Sequence, residues 1–275
     1  MTDPSLTPPP VGSAPARASL GDGIRFAFGT LTVLPARITR WDRPAARTGM
    51  TCAPLVGLVV GALAAAAGAA LFLLGSGPLI AAVAAVAVPA LLTRGLHLDG
   101  IADTADALGS AKPAAEALRI MKASDIGPFG VITLLFLVLA QVGAVAELLR
   151  ELGAWGALGA VPAALAGRAA LTLASRVGVP AARPGGLGAA VAEVVPVRAA
   201  LLVAGAAAAV SAALAWPLGP WPAAQAAVAV LLGLAVAERL LRRCVRRFEG
   251  VTGDVFGALT ETAGTVVLVV LALGH

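Results

Sequence analysis

Long runs of uncharged, mostly apolar residues are the feature that most limits what this chain can fold into. The hydrocarbon core of a bilayer is about 30 Å thick, and a helix needs about 20 apolar residues to cross it. Seven stretches approach this length: 50–74, 78–93, 127–149, 152–174, 197–217, 221–240 and 256–274. The second is short and leads into RGLHLDG, so we expect its helix to stop near the interface. A weaker helical stretch near residues 20–35 is expected to lie along the membrane surface.

The composition supports an integral membrane protein. Of the 275 residues, 59% are hydrophobic and 13% are charged, and the mean hydropathy is +0.92. A soluble domain carries about 25% charged residues, so this chain lacks the polar side chains that a water-facing surface needs. We predict an all-α fold, a polytopic membrane helix bundle of about seven spans. Its many small residues favour tight packing because they let helix backbones approach closely.

Charge and cysteine content exclude several classes of function. The net charge of +5 is confined to short polar stretches, so the expected environment is a lipid bilayer and nucleic acid is not an expected partner. Cys52 and Cys244 lack the spacing of a zinc site or a disulfide scaffold. Residues 1–18 lack the apolar core of a secretory signal and are predicted to be a disordered Pro-rich tail. Residues 19–275 are predicted to form a single transmembrane catalytic domain, and the sequence leaves open whether it forms a homo-oligomer.

The basic residues fall on alternate sides of the predicted spans. Cytoplasmic loops of membrane proteins carry the excess of Lys and Arg. One side of the bundle collects most of them, in stretches 25–47, 94–122, 176–198 and 239–247. The pattern therefore predicts a cytoplasmic N-terminus, an external C-terminus, and a cytoplasmic position for the acidic residues of interest.

Three aspartates lie within eight residues of the otherwise charge-poor segment 94–110. In a helix, Asp99, Asp103 and Asp106 point to about 0°, 40° and −20° around the axis, so they share one face. Carboxylates gathered beside a membrane repel one another, and hard oxygen ligands suit Mg²⁺. The pattern favours a Mg²⁺ site over a solvated helix face with capping aspartates. His97 points about 160° away, which makes it a poor further ligand but a candidate for substrate contact or a structural hydrogen bond.

The next segment, residues 119–130, carries both charge signs before the third span. Arg119 and Lys122 can neutralise phosphate, and Asp125 can add a carboxylate. The sequence IGPFG predicts a turn followed by a helix whose free N–H groups favour anions. Basic residues at such a position are also ordinary topology signals. Beside the aspartates, the segment is a candidate phosphate-binding wall.

Two further polar groups lie in or next to predicted spans. Arg168 sits within the fourth span, where a guanidinium must either snorkel to the interface or point into a polar cavity. In 242–264, Thr252 is a candidate helix N-cap. Asp254 and Glu261 are seven residues apart on one helical face and could form a second half-site. The four arginines at 242, 243, 246 and 247 are typical of a loop anchored to anionic lipid.

The chain resembles the cobalamin synthase family, also called adenosylcobinamide-GDP ribazoletransferase. The resemblance rests on GLHLDGIADTADAL, MKASDIGPFG and GVTGDVFGAL in this order, and on RFAFGTLTVLPAR and CAPLVGLVVGAL near the start. It covers nearly everything after residue 20. Ala107 stands where the family commonly has Gly, and KASDIG replaces the frequent KDSRIG. Neither departure touches the three aspartates.

The resemblance implies a reaction that the residues alone do not name. Members join adenosylcobinamide-GDP to α-ribazole or its 5′-phosphate, release GMP and use Mg²⁺, in the bacterial inner membrane with the active site facing the cytoplasm. We expect metal-binding and catalytic roles at Asp99, Asp103 and Asp106, with Asp125 as a further catalytic residue. The expected substrate-binding residues are His97, Lys122, Arg168, Thr252 and Asp254.

Two other classes of membrane protein share part of this pattern. Intramembrane prenyltransferases and CDP-alcohol phosphotransferases also place aspartates and Mg²⁺ at a cytoplasmic interface, but with different aspartate spacings, and IADT follows Asp99-Gly100 here. A transporter would carry acidic residues in mid-span, and the predicted spans are nearly free of them.

Overall fold

The chain folds as a helix bundle in a computed structural model that describes residues 17–274. Within that range there is no β-sheet, only two isolated bridges. The predicted tail, 1–18, lies almost entirely outside the described residues. The helices are α1 (Leu20–Leu31), α2 (Arg43–Leu73), α3 (Pro78–Leu92), α4 (Leu96–Gly109), α5 (Ala114–Ile120), α6 (Pro128–Leu152), α7 (Ala160–Ala174), α8 (Leu187–Val191), α9 (Val197–Ala215), α10 (Pro220–Phe248) and α11 (Gly253–Leu271).

The apolar helices match the predicted spans. By length and hydropathy alone, five helical stretches can cross a membrane, or six if the bent pair α3–α4 counts as one span. One of the five, Pro128–Ala174, is 47 residues long and contains both α6 and α7. At 1.5 Å per residue, a straight helix of that length would be about 70 Å long, more than twice the hydrocarbon thickness.

The contacts with α11 show that this long stretch reverses direction. On α6, Leu137 packs with Ala258, and the later Gln141 donates a hydrogen bond to Glu261, so α6 runs parallel to α11. On α7, Ala163 faces Gly264, whereas the later Gly167 faces Thr260, so α7 runs antiparallel. The reversal occurs in the 3₁₀ segment Gly153–Gly159, which opens with a positive φ of 60° at Gly153. Two passes are therefore present, as the sequence predicted.

Small residues hold the bundle together, as expected from the composition. A Cβ atom at Gly61 of α2 would lie 2.7 Å from the Val161 Cα of α7, too close for any side chain. Helices α2 and α7 are equally close one turn earlier in α2, where Gly57 faces the backbone of Ala164 and Leu165. The core also contains Cys52 and Cys244, both buried and not disulfide-bonded.

Two helices extend further than predicted. Helix α2 begins at Arg43 because Asp42 caps it, accepting a hydrogen bond from the Ala45 amide at 2.9 Å. Helix α10 continues to Phe248, so the arginines at 242–247 lie on a helix and not in a loop. The expected loop was wrong because Ala237, Leu241 and Cys244 continue the buried stripe of α10 past the apolar run.

Helices α1 and α4 lie beside the spans. In α1, the Phe26 side chain is 1% exposed and covers Gly49 of α2, so this helix packs against the bundle. Helix α3 ends at Leu92, and α4 follows at an angle of 88°. The bend is made by Arg94 and Gly95, whose φ angles are 55° and 70°. The short second span therefore stops where the aspartate helix begins.

Candidate active site

The site is built where α4 crosses α11 at two glycines. A Cβ atom on Gly100 would lie 2.6 Å from the backbone oxygen of Asp254, and one on Gly257 would lie 3.0 Å from the His97 Cα. Because neither position can hold a side chain without a shift, the two backbones touch. The contact brings the first turn of α11, with Asp254, against the first turns of α4, with Asp99 and Asp103.

The three aspartates of α4 lie on one helix, as predicted, but in different surroundings. Asp99 is exposed, Asp103 is half-buried and Asp106 is buried. The Asp106 carboxylate accepts hydrogen bonds from the amides of Gly127 and Gly130, at 2.8 and 2.9 Å. Asp106 thus caps the start of α6. The predicted turn and helix at IGPFG are present, but these two N–H groups bind Asp106, so the prediction that they are free for an anion was wrong.

Asp254 takes part in a carboxylate cluster that we define as Asp99, Asp103 and Asp254. The charge on Asp103 is repelled by Asp99 and by Asp254, and more weakly by Asp106. The Thr252 hydroxyl donates to the Asp254 carboxylate at 3.2 Å, and the predicted N-cap is confirmed because the same oxygen accepts from the Val255 amide at 3.3 Å. The sequence had assigned Asp254 to a possible second half-site with Glu261.

Arg183 is the site residue that sequence reasoning did not single out. Its guanidinium lies 4.0 Å from the Asp254 carboxylate and also interacts with the charge of Asp103. It donates to the Leu118 carbonyl at 3.1 Å, which fixes the side chain toward the cluster. Its only signal in the sequence is a lone arginine before the Pro-Gly-Gly turn of AARPGGLG.

A cavity of about 300 Å³ opens beside the cluster. Its polar lining comes from four side chains, His97, Arg183, Thr252 and Asp254, and the rest is glycine and apolar residues. The His97 side chain is 3% exposed, and its Nε2 has no hydrogen-bond partner among residues 17–274. The cavity therefore offers a cation, a hydroxyl, a carboxylate and an imidazole to one ligand.

Lys122 and Asp125 lie at the rim and are exposed on the loop between α5 and α6. The neighbouring Met121 anchors this loop, since its sulfur accepts a hydrogen bond from Arg183 at 3.8 Å and lies 3.5 Å from the Thr252 hydroxyl oxygen. The loop thus lies next to the cavity, with its two charged side chains directed to solvent.

Arg168 occupies a different cavity. Its side chain is 3% exposed, so it does not snorkel to the interface. It lines an internal cavity with Gln141, Thr260 and Glu261. Thr260 lies six residues beyond Asp254, about 9 Å along α11. Asp254 and Glu261 therefore do not form one half-site, and Arg183 is the arginine beside the carboxylates.

Known proteins are similar to this chain over most of its length. Residues 23–272 match the family model described as cobalamin-5-phosphate synthase. The chain belongs to this family. It is 44% identical to an adenosylcobinamide-GDP ribazoletransferase of Frankia casuarinae over an alignment of 263 positions, which covers 90% of this chain and 94% of the relative. The enzyme of the same name from a Nocardioides species is 40% identical over 88% of this chain and 94% of its own. The one from Pseudomonas aeruginosa is 37% identical over 90% and 96%.

No solved structure matches the chain. Membership of the cobalamin-5-phosphate synthase family, together with the apolar helices, makes the chain a multi-pass membrane transferase of cobalamin biosynthesis.

The donor set of the carboxylate cluster fits the Mg²⁺ that the family resemblance implies. Among residues 17–274, no three His, Cys, Asp or Glu side chains form a ready metal-ligand group. Mg²⁺ is usually held by one or two carboxylates and completes its octahedron with water and substrate phosphates. Asp99, Asp103 and Asp254 supply such carboxylates, and their mutual repulsion favours a bound cation.

Asp106→Ala is expected to act mainly on stability. The substitution removes two hydrogen bonds to a charged acceptor and leaves the Gly127 and Gly130 amides unpaired. A loss of about 3 kcal/mol follows from the usual strength of such bonds, and it should appear as a lower midpoint of thermal unfolding in detergent. An unchanged midpoint with abolished metal binding would instead make Asp106 a metal ligand.

Proposed function

We propose that the chain transfers the adenosylcobinamide phosphate group of adenosylcobinamide-GDP to α-ribazole or its 5′-phosphate and releases GMP. The observation that carries this proposal is the carboxylate cluster next to Arg183 and a 300 Å³ cavity. Carboxylates that bind a divalent cation, with an arginine facing them, are the parts that transfer from a diphosphate requires. The relatives' names supply the identity of the substrates.

We assign different residues of the chain to the cation, to the phosphate oxygens and to the GMP portion of the donor. Asp99 and Asp103 would hold Mg²⁺, with Asp254 beside them, and the bound cation offsets the negative charge of the diphosphate. Arg183 would bind phosphate oxygens in two-pronged contacts, as guanidinium groups do. Lys122, at the rim, would approach the GMP portion from solvent. We assign the diphosphate contact to Arg183 and not to Arg168, because Arg168 lies in the other cavity.

In the transfer step, the ribazole hydroxyl oxygen forms a bond to the phosphorus on the corrinoid side while the bond from that phosphorus to GMP breaks. The hydroxyl proton must pass to a base. With Asp99 and Asp103 holding the cation, Asp254 and Asp125 are the carboxylates that could accept this proton. Asp254 already lies in the cavity with Thr252 and His97, which would orient the ribazole. Positioning and charge compensation supply most of the rate in such reactions.

The proposed location is the inner membrane, with the cluster facing the cytoplasm. The loops that contact the site, at 110–127 and 175–196, belong to the side that carries the arginine excess. GMP and the ribazole acceptor would then exchange directly with the cytoplasm.

Purified protein in nanodiscs should release GMP from adenosylcobinamide-GDP only when α-ribazole or its phosphate is supplied. A prenyltransferase, a CDP-alcohol phosphotransferase or a transporter would release none under these conditions. Absence of acceptor-dependent GMP would overturn the proposal.

Removing divalent metal should stop the reaction reversibly. Because the cluster gathers carboxylates that repel one another, EDTA treatment is expected to reduce GMP release to background, and added Mg²⁺ should restore it. The same preparation treated with Ca²⁺ or Na⁺ alone serves as the control. Full turnover in EDTA would contradict the metal assignment but would not contradict the assignment of the substrates.

A further inference from the structure

A second polar cavity lies inside the bundle, apart from the carboxylate cluster. It has a volume of about 70 Å³ and is enclosed by α3, α4, α6, α7 and α11. Its polar wall consists of Gln141, Arg168, Thr260 and Glu261. The remaining wall is alanine, valine, leucine, proline and glycine. Arg168 is buried and Glu261 is partly buried, and charged side chains inside a membrane bundle are costly and usually mark function.

The cavity contains unused hydrogen-bonding groups. Arg168 is 3% exposed, and its Nε and one of its terminal nitrogens have no partner among residues 17–274. Glu261 accepts one hydrogen bond, from Gln141 at 2.9 Å to Oε2, and none is found to Oε1 within that range. Unpaired buried donors cost about 1–3 kcal/mol each. The cavity therefore presents free donors and a free acceptor to whatever enters it.

The charges decide which chemical class fits. Arg168 and Glu261 interact electrostatically and carry opposite charges, so the cavity has no net charge when both are ionised. An anionic ligand would be repelled by Glu261, and a cationic ligand by Arg168. A neutral group that both accepts and donates hydrogen bonds satisfies the two side chains without adding net charge in a low-dielectric interior. A primary carboxamide has this character, since its carbonyl accepts and its NH₂ donates.

The size agrees with this assignment. A water molecule takes about 30 Å³ in the liquid, so the cavity holds about two waters or one carboxamide of similar volume. The aliphatic walls suit the methylene groups that carry such an amide. A diphosphate is larger and carries negative charge that Glu261 opposes.

The cavity adjoins the substrate side of the protein. Leu98, which points to its interior, also lines a groove of about 640 Å³ that contains Asp99. Leu98 therefore lies in the wall between the cavity of Arg168 and the groove of Asp99.

We propose that this cavity binds one carboxamide arm of the corrinoid donor, with its carbonyl on Arg168 and its NH₂ on Glu261. The proposal rests on the proposed function, because a cobinamide carries several such arms. It gives Arg168 and Glu261 a role in recognising the corrinoid and leaves the diphosphate to Arg183.

Donor analogues in which one carboxamide at a time is replaced by a carboxylate test the proposal. In the wild-type protein in nanodiscs, we expect one analogue to bind at least about tenfold more weakly than the parent, because an added anion faces Glu261. In Glu261→Gln, that penalty should vanish or reverse, since Arg168 then meets the carboxylate unopposed. In Arg168→Gln, it should increase. Dissociation constants for all analogues are the measurement.

Glu238→Gln is the matched control, because Glu238 lies on α10, away from the cavity, and pairs with Arg176 and Arg242. Its analogue preference should equal that of wild type. Equal affinity of wild type for every analogue would overturn the proposal without any variant, as would an unchanged preference in Glu261→Gln. If the carboxamide proposal fails in this way but the wild-type protein still binds and turns over the parent donor, the proposed function stands. If the wild-type protein binds no corrinoid, both the carboxamide proposal and the proposed function are overturned.

Discussion

Asp103→Asn is expected to lower the rate of GMP release by about 10³-fold while the protein remains folded in detergent. The charges of Asp99 and Asp254 both act on Asp103, so its own charge contributes most directly to a cation shared by the cluster. Metal-based charge stabilisation is worth several kcal/mol, and each 1.4 kcal/mol is a factor of ten in rate. The measurement is kcat with saturating donor and acceptor, together with a thermal unfolding curve.

Glu116→Gln provides the control, because Glu116 is an exposed acid on α5, in the segment that follows α4. It should retain the wild-type rate. If Asp103→Asn kept near-normal turnover, the cluster would not be the catalytic centre, whatever the fate of the unfolding temperature.

Gly100→Ala should reduce kcat by about 10²-fold. The new Cβ would meet the backbone oxygen of Asp254 at 2.6 Å, and neither partner is a flexible side-chain end that can turn away. Helices α4 and α11 must then separate by several tenths of an ångström, which moves Asp254 away from Asp99 and Asp103. Misplacement of catalytic groups by about 1 Å can cost 10²-fold in rate.

Gly205→Ala is the matched substitution, since a Cβ at that position of α9 meets nothing within 4 Å. It should leave turnover unchanged and slightly favour the helix, because alanine is the better helix former. A Gly100→Ala protein with full activity would show that the close crossing of α4 and α11 does not set the geometry of the site.

The sequence predicts the local features of this protein well. Uncharged runs of about 20 residues mark the spans because bilayer thickness and helix rise fix their length. The common face of Asp99, Asp103 and Asp106 follows from 3.6 residues per turn. The N-cap at Thr252 follows from side-chain chemistry next to an apolar run. Each of these depends on residues close together in the chain.

The features that the sequence did not predict depend on distant residues. Asp106 binds the amides of Gly127 and Gly130 and leaves the cluster to Asp254, which is about 150 residues further along the chain. No periodicity in α4 distinguishes Asp106 from Asp99. Similarly, Arg183 looks like an ordinary basic loop residue until its bond to Leu118 is seen. Tertiary packing, through the contact of Gly100 with the Asp254 backbone, selects the members of the site.

Binding of Mn²⁺ to the purified protein in the presence of adenosylcobinamide-GDP, followed by electron paramagnetic resonance, tests the carboxylate cluster most directly. Mn²⁺ takes the same oxygen ligands as Mg²⁺. We predict a bound-ion signal in the wild-type protein that is lost in Asp99→Asn and in Asp103→Asn, and kept in Glu116→Gln. A signal of undiminished strength in both aspartate variants would contradict the account.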